Sequence, residues 1–225
     1  MKEKDNKGFW NRWAKRYDFA MSGDGRTYAQ IVSRMKKVLS KDMAVLELAC
    51  GTGLLSVRIA GSVKLLEATD FSEEMIRQAK AKAHSSRLHF SVQDATNLPY
   101  TPGTFDAVVI SNALHIMPEP EKALAERFPG SMVTFDAVNT AGLKGVNAEV
   151  KMAGNKTKSF FSLEKPKEEL EDWSDRIVNV AERDYIDGYL KGGWRKSIVT
   201  RIFAWVMRTF HMGFMIHAEF RERQQ

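Results

Sequence analysis

The sequence predicts an α/β fold: a doubly wound, mostly parallel sheet of seven strands, with helices on both faces and a helical cap at the N-terminus. Two observations carry that expectation. Short apolar runs alternate with amphipathic stretches from residue 43 to residue 138, the pattern of strands joined by crossover helices. Two further helical patterns precede the first strand. Crossovers between parallel strands are right-handed, so a doubly wound sheet is the simplest topology that fits.

Each element follows from its own spacing. GFWNRWAKRYDFAM (8–21) sets Phe9, Trp10, Trp13 and Tyr17 on one helical face, and GDG (23–25) ends it. TYAQIVSRMKKVLS (27–40) is a second amphipathic helix, with Tyr28, Ile31, Met35 and Val38 inward. Strands are expected at 43–49, 63–70, 87–95, 104–114 and 131–138, and helices at 53–61, 72–85 and 120–128. Ser72 is the expected N-cap of the helix it opens, with two acids in the first turn. Residues 141–159 are rich in Gly, Asn and Lys and show no clear period. Residues 165–174 read as a charged helix or turn, 175–185 as a strand, 197–210 as an apolar helix and 214–223 as a final strand.

Composition narrows the function. A chain of 225 residues is long enough for one well-packed domain. Its formal charge of +6 is spread over both halves, which does not make a nucleic-acid footprint. The single cysteine, Cys50, fits a reducing, cytoplasmic compartment. No apolar h-region opens the chain and no apolar run is long enough to span a bilayer.

The stretch ELACGTG (Glu47–Gly53) poses the chemical question. Ligands of open α/β sheets lie beyond the C-terminal ends of the strands. Gly51 and Gly53 let the backbone turn and approach a ligand there. A dinucleotide would require G-x-G-x-x-G, but Ser56 stands in the third glycine's place and Glu47 would face the pyrophosphate. S-adenosylmethionine resolves the conflict, because it keeps the adenosine, lacks phosphates and carries an ammonium and a sulfonium. Glu47 then faces a cation, directly or through water, or else only braces the loop. Asp70 closes the second strand 23 residues on, suited to the two ribose hydroxyls; a helix cap is its alternative role. Phe71 lies against the adenine or plugs the core. Asp94 accepts from the adenine amino group, with the Ala95 N–H on a ring nitrogen, or else forms an Asx-turn.

The set VLELACGTG, ATDFSEEMI, VQDATNLPY and FDAVVISNALHIM, each at the end of its strand and in this order, resembles the class I S-adenosylmethionine-dependent methyltransferases, whose sheet is Rossmann-like. The resemblance implies cofactor contacts at Glu47, Ala49, Gly51, Gly53, Asp70, Phe71, Met75, Asp94 and Ala95, with Ser111, Asn112 and the residues to Leu114 beside the methyl group. It departs at Ala49, where relatives often have glycine; a methyl there should disturb the loop modestly. FWNRWAKRYD resembles the cap helix of small-molecule methyltransferases, including quinone-biosynthesis C-methyltransferases, which places Tyr17 over the cofactor. Residues 124–223 resemble instead the polyketide O-methyltransferases allied to leucine carboxyl methyltransferases. Two branches of one fold in one chain point to a composite, or chimera, with its seam near Ala123 to Arg127.

One methyltransferase domain over 1–225 is therefore expected. Residues 1–40 form the cap, 41–138 bind the cofactor, and 139–225 complete the sheet and the acceptor pocket. The expected reaction is in-line methyl transfer to a small-molecule acceptor, with oxygen the first choice, leaving S-adenosylhomocysteine; the alternatives are a cofactor-binding protein of this fold without efficient turnover and a membrane-surface C-methyltransferase of quinone type. Positioning and water exclusion suffice, without a metal or a covalent intermediate. His115 is the first candidate base and Tyr185 a candidate for the acceptor site. SNALHIM after the fourth strand is apolar and shaped for a small molecule, not for a flipped base. A monomer or homodimer is expected.

Overall fold

The computed structural model describes residues 3–20, 25–101, 103–111, 113–114, 132–152, 162–173, 177–184, 209 and 212–220. They fall into two compact units, Met1–Ser111 and Asn112–Gln225. The first is an α/β unit on a parallel sheet of β1 (Ala44–Leu48), β2 (Leu65–Asp70), β3 (Leu88–Val92) and β4 (Ala107–Ile110), in the order β3-β2-β1-β4. This is the Rossmann-like arrangement that the alternation of apolar runs predicts. The chain leaves β1 for β2 on one side and returns to β4 on the other. That reversal opens a crevice beyond the C-terminal ends of β1 and β4.

These strands form because they are buried. Val45, Leu46, Leu48, Leu66 and Ala68 are all sealed from solvent. Each large aliphatic side chain buried in this way contributes roughly 1.5–3 kcal/mol. Asp106 fixes where β1 and β4 begin: its carboxylate accepts from the Ala44 N–H at 2.7 Å, and its own N–H donates to the Ala44 carbonyl at 2.8 Å.

Four helical segments complete the unit: α1 (Glu3–Ala20), α2 (Gly25–Val38), α3 (Ser56–Ile59, continuing as a 3₁₀ turn over Ala60–Ser62) and α4 (Glu73–Lys80). On α2, Tyr28, Ile31 and Met35 pack on the core as expected, with Val32 buried beside them. Val38 does not: it is exposed, and Leu39 turns inward in its place. The inward stripe runs 28, 31, 32, 35, 39, and Val38, the last residue of the helix, lies about 75° from its centre, just beyond its edge. The helix expected over 53–61 is shorter than its pattern. A turn occupies 51–55 and only one α-helical turn follows, so the glycine stretch leads into little helix. At α4 the expected N-cap is present: the Ser72 hydroxyl accepts from the Met75 N–H at 3.1 Å.

The second unit contains β5 (Met132–Val138), α5 (Thr140–Met152), α6 (Pro166–Trp173), β6 (Ile177–Asp184) and β7 (Gly213–Phe220). Its strands pair in the order β5-β7-β6, with β7 antiparallel to both neighbours, so β5 and β6 share a direction. Among the described residues the strands pair as a sheet of four and a sheet of three; the single seven-stranded sheet expected from the sequence is not resolved. The stretch without clear period at 141–159 contains α5, whose start is capped by Asn139 through the Gly142 N–H at 2.8 Å. α6 opens on Pro166, with Glu169 accepting from the N–H groups of Glu164 and Lys165, both at 2.7 Å. The helices expected at 120–128 and 197–210 lie outside the described residues, apart from Thr209.

Candidate functional site

The crevice floor is the turn after β1. Three of its residues adopt left-handed backbone angles: Ala49 at φ 52°, Gly51 at φ 56° and Gly53 at φ 76°. The turn is tied down by the Cys50 N–H donating to the Thr69 carbonyl and the Gly53 N–H donating to the Cys50 carbonyl, both at 2.9 Å. The two glycines serve different ends. A Cβ on Gly53 would lie 2.7 Å from Phe90 and 3.2 Å from Ala79, so its bareness lets the turn close on β3 and α4. A Cβ on Gly51 would meet nothing nearer than the Tyr17 ring, at 3.9 Å. Gly51 is thus the one left bare toward the crevice.

Two buried carboxylates flank this turn. Asp70, at the end of β2, accepts from the Gly51 N–H through Oδ2 and from the Ser72 N–H through Oδ1, both at 2.9 Å. Each oxygen keeps a lone pair for a further donor. Burial raises its pKa to about 6, against the pull of the Ser72, Gly51 and Phe71 N–H groups. Glu47, in β1, is 2% exposed, and its Oε2 has no hydrogen-bond partner among the described residues. Burial pushes its pKa up to about 7, and the nearby Asp70 adds the smallest of the contributions. Ser56, beside it without a well-formed hydrogen bond, pulls the other way by more than Asp70 adds. A buried carboxylate with an unused oxygen favours a cation or a hydrogen-bond donor as its partner.

Tyr17 reaches the same place from α1. Its ring lies against Gly51, and its hydroxyl shares a hydrogen bond with Tyr28. Burial, Tyr28 and the acids Asp70 and Asp18 raise its pKa, so it stays a neutral phenol. The Cys50 thiol is buried, and its pKa is pushed well up by that burial and by Glu47 and Asp70; it has no nucleophilic character.

Tyr17, Glu47, Ala49, Gly51, Gly53 and Asp70 thus gather at one turn. Phe71 is half-buried directly after Asp70. Met75 is buried on the inward side of α4, at 2% exposure. Asp94 is exposed, and its Oδ1 closes a local turn by accepting from both the N–H and the hydroxyl of Thr96 at 2.8 Å. This is the Asx-turn that the sequence allows, and it uses only one of the two carboxylate oxygens. Ala95 and Ser111 are half-buried after β3 and β4. Asn112, His115 and Tyr185 lie outside the described residues.

Sequence reading missed Asn11 and Asp18. Asn11 Oδ1 accepts from the Ser72 hydroxyl at 2.6 Å, and Asp18 accepts from the Thr52 hydroxyl and from Lys82 Nζ, the latter at 2.5 Å. The available signal was their spacing. With Ala14 they stand at i, i+3 and i+7, polar residues on the buried face of α1.

Residues 45–129 match the family model described as "Methyltransferase domain". The chain is 33% identical, over 141 residues, to the demethylmenaquinone methyltransferase of Leptospira interrogans, covering 55% of this chain and 56% of that protein. It spans between about a third and just over half the length of the curated relatives that head the matches. In fold it is similar to the methyltransferase solved in complex with the Haloferax volcanii Trm112 activator, with a TM-score of 0.69 and 18% identity over 95% of this chain and 98% of that one. It is similar also to phosphoethanolamine N-methyltransferase 2 of Haemonchus contortus, solved with S-adenosylhomocysteine, with a TM-score of 0.65 and 15% identity over 95% of this chain and 58% of that one. A glycine turn between two buried acids at the switch point of a parallel sheet thus lies within the stretch, residues 45–129, that matches this methyltransferase-domain model.

Proposed function

We propose that the chain is an S-adenosylmethionine-dependent methyltransferase acting on a small-molecule acceptor. The observation that carries this reading is the pair of buried acids, Glu47 and Asp70, around a turn with one glycine bare toward the crevice. A pyrophosphate would meet two negative groups there; a cationic, phosphate-free adenosyl donor meets complementary ones. Glu47 faces the donor's ammonium, Asp70 the ribose hydroxyls and Phe71 the adenine, with the Ala95 N–H on a ring nitrogen. The donor supplies an activated methyl group on sulfur, so the protein's own work is alignment and the exclusion of water.

The acceptor atom in this proposal is oxygen, on the sequence likeness of residues 124–223 to the polyketide O-methyltransferases, with His115 as base and Tyr185 lining the pocket. The composite origin of the chain rests on that likeness alone. A second reading, methylation of a ring carbon on a quinol-type acceptor, is favoured by the match to demethylmenaquinone methyltransferases. A cytoplasmic location suits either acceptor, and no helix among the described residues is long and apolar enough to cross a membrane.

Calorimetric titration with S-adenosylmethionine, S-adenosylhomocysteine and NADH tests the donor. Both adenosyl ligands should bind, and Asp70→Lys should abolish their binding; tighter binding of NADH would overturn the reading. Turnover on phenols, carboxylic acids and quinols, with the new methyl located by mass spectrometry, separates oxygen from carbon.

A further inference from the structure

α1 touches both turns that frame the donor site, and it does so through two polar side chains. Asn11 Oδ1 accepts from the Ser72 hydroxyl at 2.6 Å and from the Glu74 N–H at 3.3 Å. Ser72 is fully buried and follows Asp70 and Phe71. Its hydroxyl hydrogen goes to Asn11 and a lone pair goes to the Met75 N–H, so both of its functions are engaged. Two helical turns further along the same face, Asp18 accepts from the Thr52 hydroxyl. Thr52 is also fully buried and stands between Gly51 and Gly53. Asp18 Oδ2 is held in turn by Lys82 Nζ at 2.5 Å, just beyond α4. Between these anchors, about 10 Å apart along the helix, the Tyr17 ring lies against Gly51. An outer ion pair, Lys7 to Glu73 at 2.5 Å, lies one turn before Asn11.

Simple docking of one helix on another, as of α1 on α4, needs an apolar face. Here the buried face of α1 spends two polar residues on the hydroxyls of the two site turns. Satisfied pairs of this kind fix geometry more than they add stability. We infer that Asn11 and Asp18 are positioning residues for the donor: they strap the glycine turn to the turn after β2 and hold Tyr17 as a cover over Gly51. This rests on the donor reading proposed above. Neither residue touches the donor. Their effect is on how long it stays, because a strap that holds its cover shut slows departure more than arrival.

The test uses the full-length chain and S-adenosylhomocysteine as probe, with dissociation rates measured by stopped flow or surface binding. Asn11→Ala and Asp18→Ala should each speed dissociation by about tenfold, the scale of one lost hydrogen bond to a charged or buried partner. Asp18→Asn keeps an oxygen for Thr52 and should restore most of the retention. Thermal melting without ligand identifies variants still folded at the assay temperature; among those, a general loss of stability would leave the dissociation rate unmoved. If Asn11→Ala does not fold, Asp18→Ala and Lys82→Met, both at the partly exposed end, carry the test, with faster dissociation expected of each. Wild-type binding with unchanged dissociation in the folded variants overturns the strap alone. A wild-type chain that does not bind S-adenosylhomocysteine overturns the donor reading and the strap with it.

Discussion

Ala49 holds a backbone angle that alanine resists, φ 52°, in the middle of the glycine turn. A Cβ in that region costs about 1–2 kcal/mol, more than the modest effect its small size suggests. Ala49→Gly should therefore raise the stability of the chain by about 1 kcal/mol in urea unfolding, the strain relieved being partly offset by the freer unfolded chain. The two glycines should part company. Gly51→Ala meets only the Tyr17 ring, at ordinary contact distance, but a left-handed angle, so it should lose only about 1–2 kcal/mol while weakening donor binding. Gly53→Ala drives a methyl group into Phe90 and should lose about 3 kcal/mol or more, with unfolding rather than titration as the readout. Equal losses in the two variants would contradict the division of labour between them.

At the scale of elements, what was legible in the sequence was what burial dictates locally. β1 and β4 are apolar runs, as suits strands covered on both faces, whereas β3 alternates, with His89 exposed between buried Leu88 and Phe90; Ser72 announced α4 by its own chemistry. α5 was not legible, because TAGLKGVNAEVKM sets only Leu143, Val146 and Val150 at helical spacing and interrupts them with two glycines and an asparagine. Its helix is set by context: Asn139 caps it, and Gly142 packs against the Met212 carbonyl. A Cβ at Gly142 would lie 2.6 Å from that oxygen. Gly142→Ala should thus destabilise by about 1–3 kcal/mol, although helix propensity alone predicts a gain of about 1 kcal/mol; a raised thermal midpoint would show that propensity wins. In the site, the residues of the turn were readable as a motif. Asn11 and Asp18 were not, since their partners Ser72 and Thr52 lie 61 and 34 residues away.

The stability of the whole molecule should depend on pH through its two buried acids. Glu47 and Asp70 have folded values of about 7 and about 6, raised from 4.5 and 3.8. A raised folded value stabilises below the unfolded one, and that contribution is lost as pH climbs through the folded value. From pH 4 to pH 8 Glu47 alone should withdraw on the order of 3 kcal/mol. The thermal midpoint should fall over this range, and Glu47→Gln should flatten the fall. A cationic donor reverses the balance by ionising Glu47, so binding near pH 6.5 should release a proton and tighten as pH rises toward about 7. Calorimetry in two buffers of different ionisation heat counts that proton, and a count of zero would remove Glu47 from the ammonium. The first compact unit ends at Ser111, and the groups that form the glycine-turn site all precede it. On the proposed reading, the methyl source is written in one uninterrupted tract. Descendants could rewrite everything downstream, and with it the choice of what is methylated, without relearning how to hold the reagent.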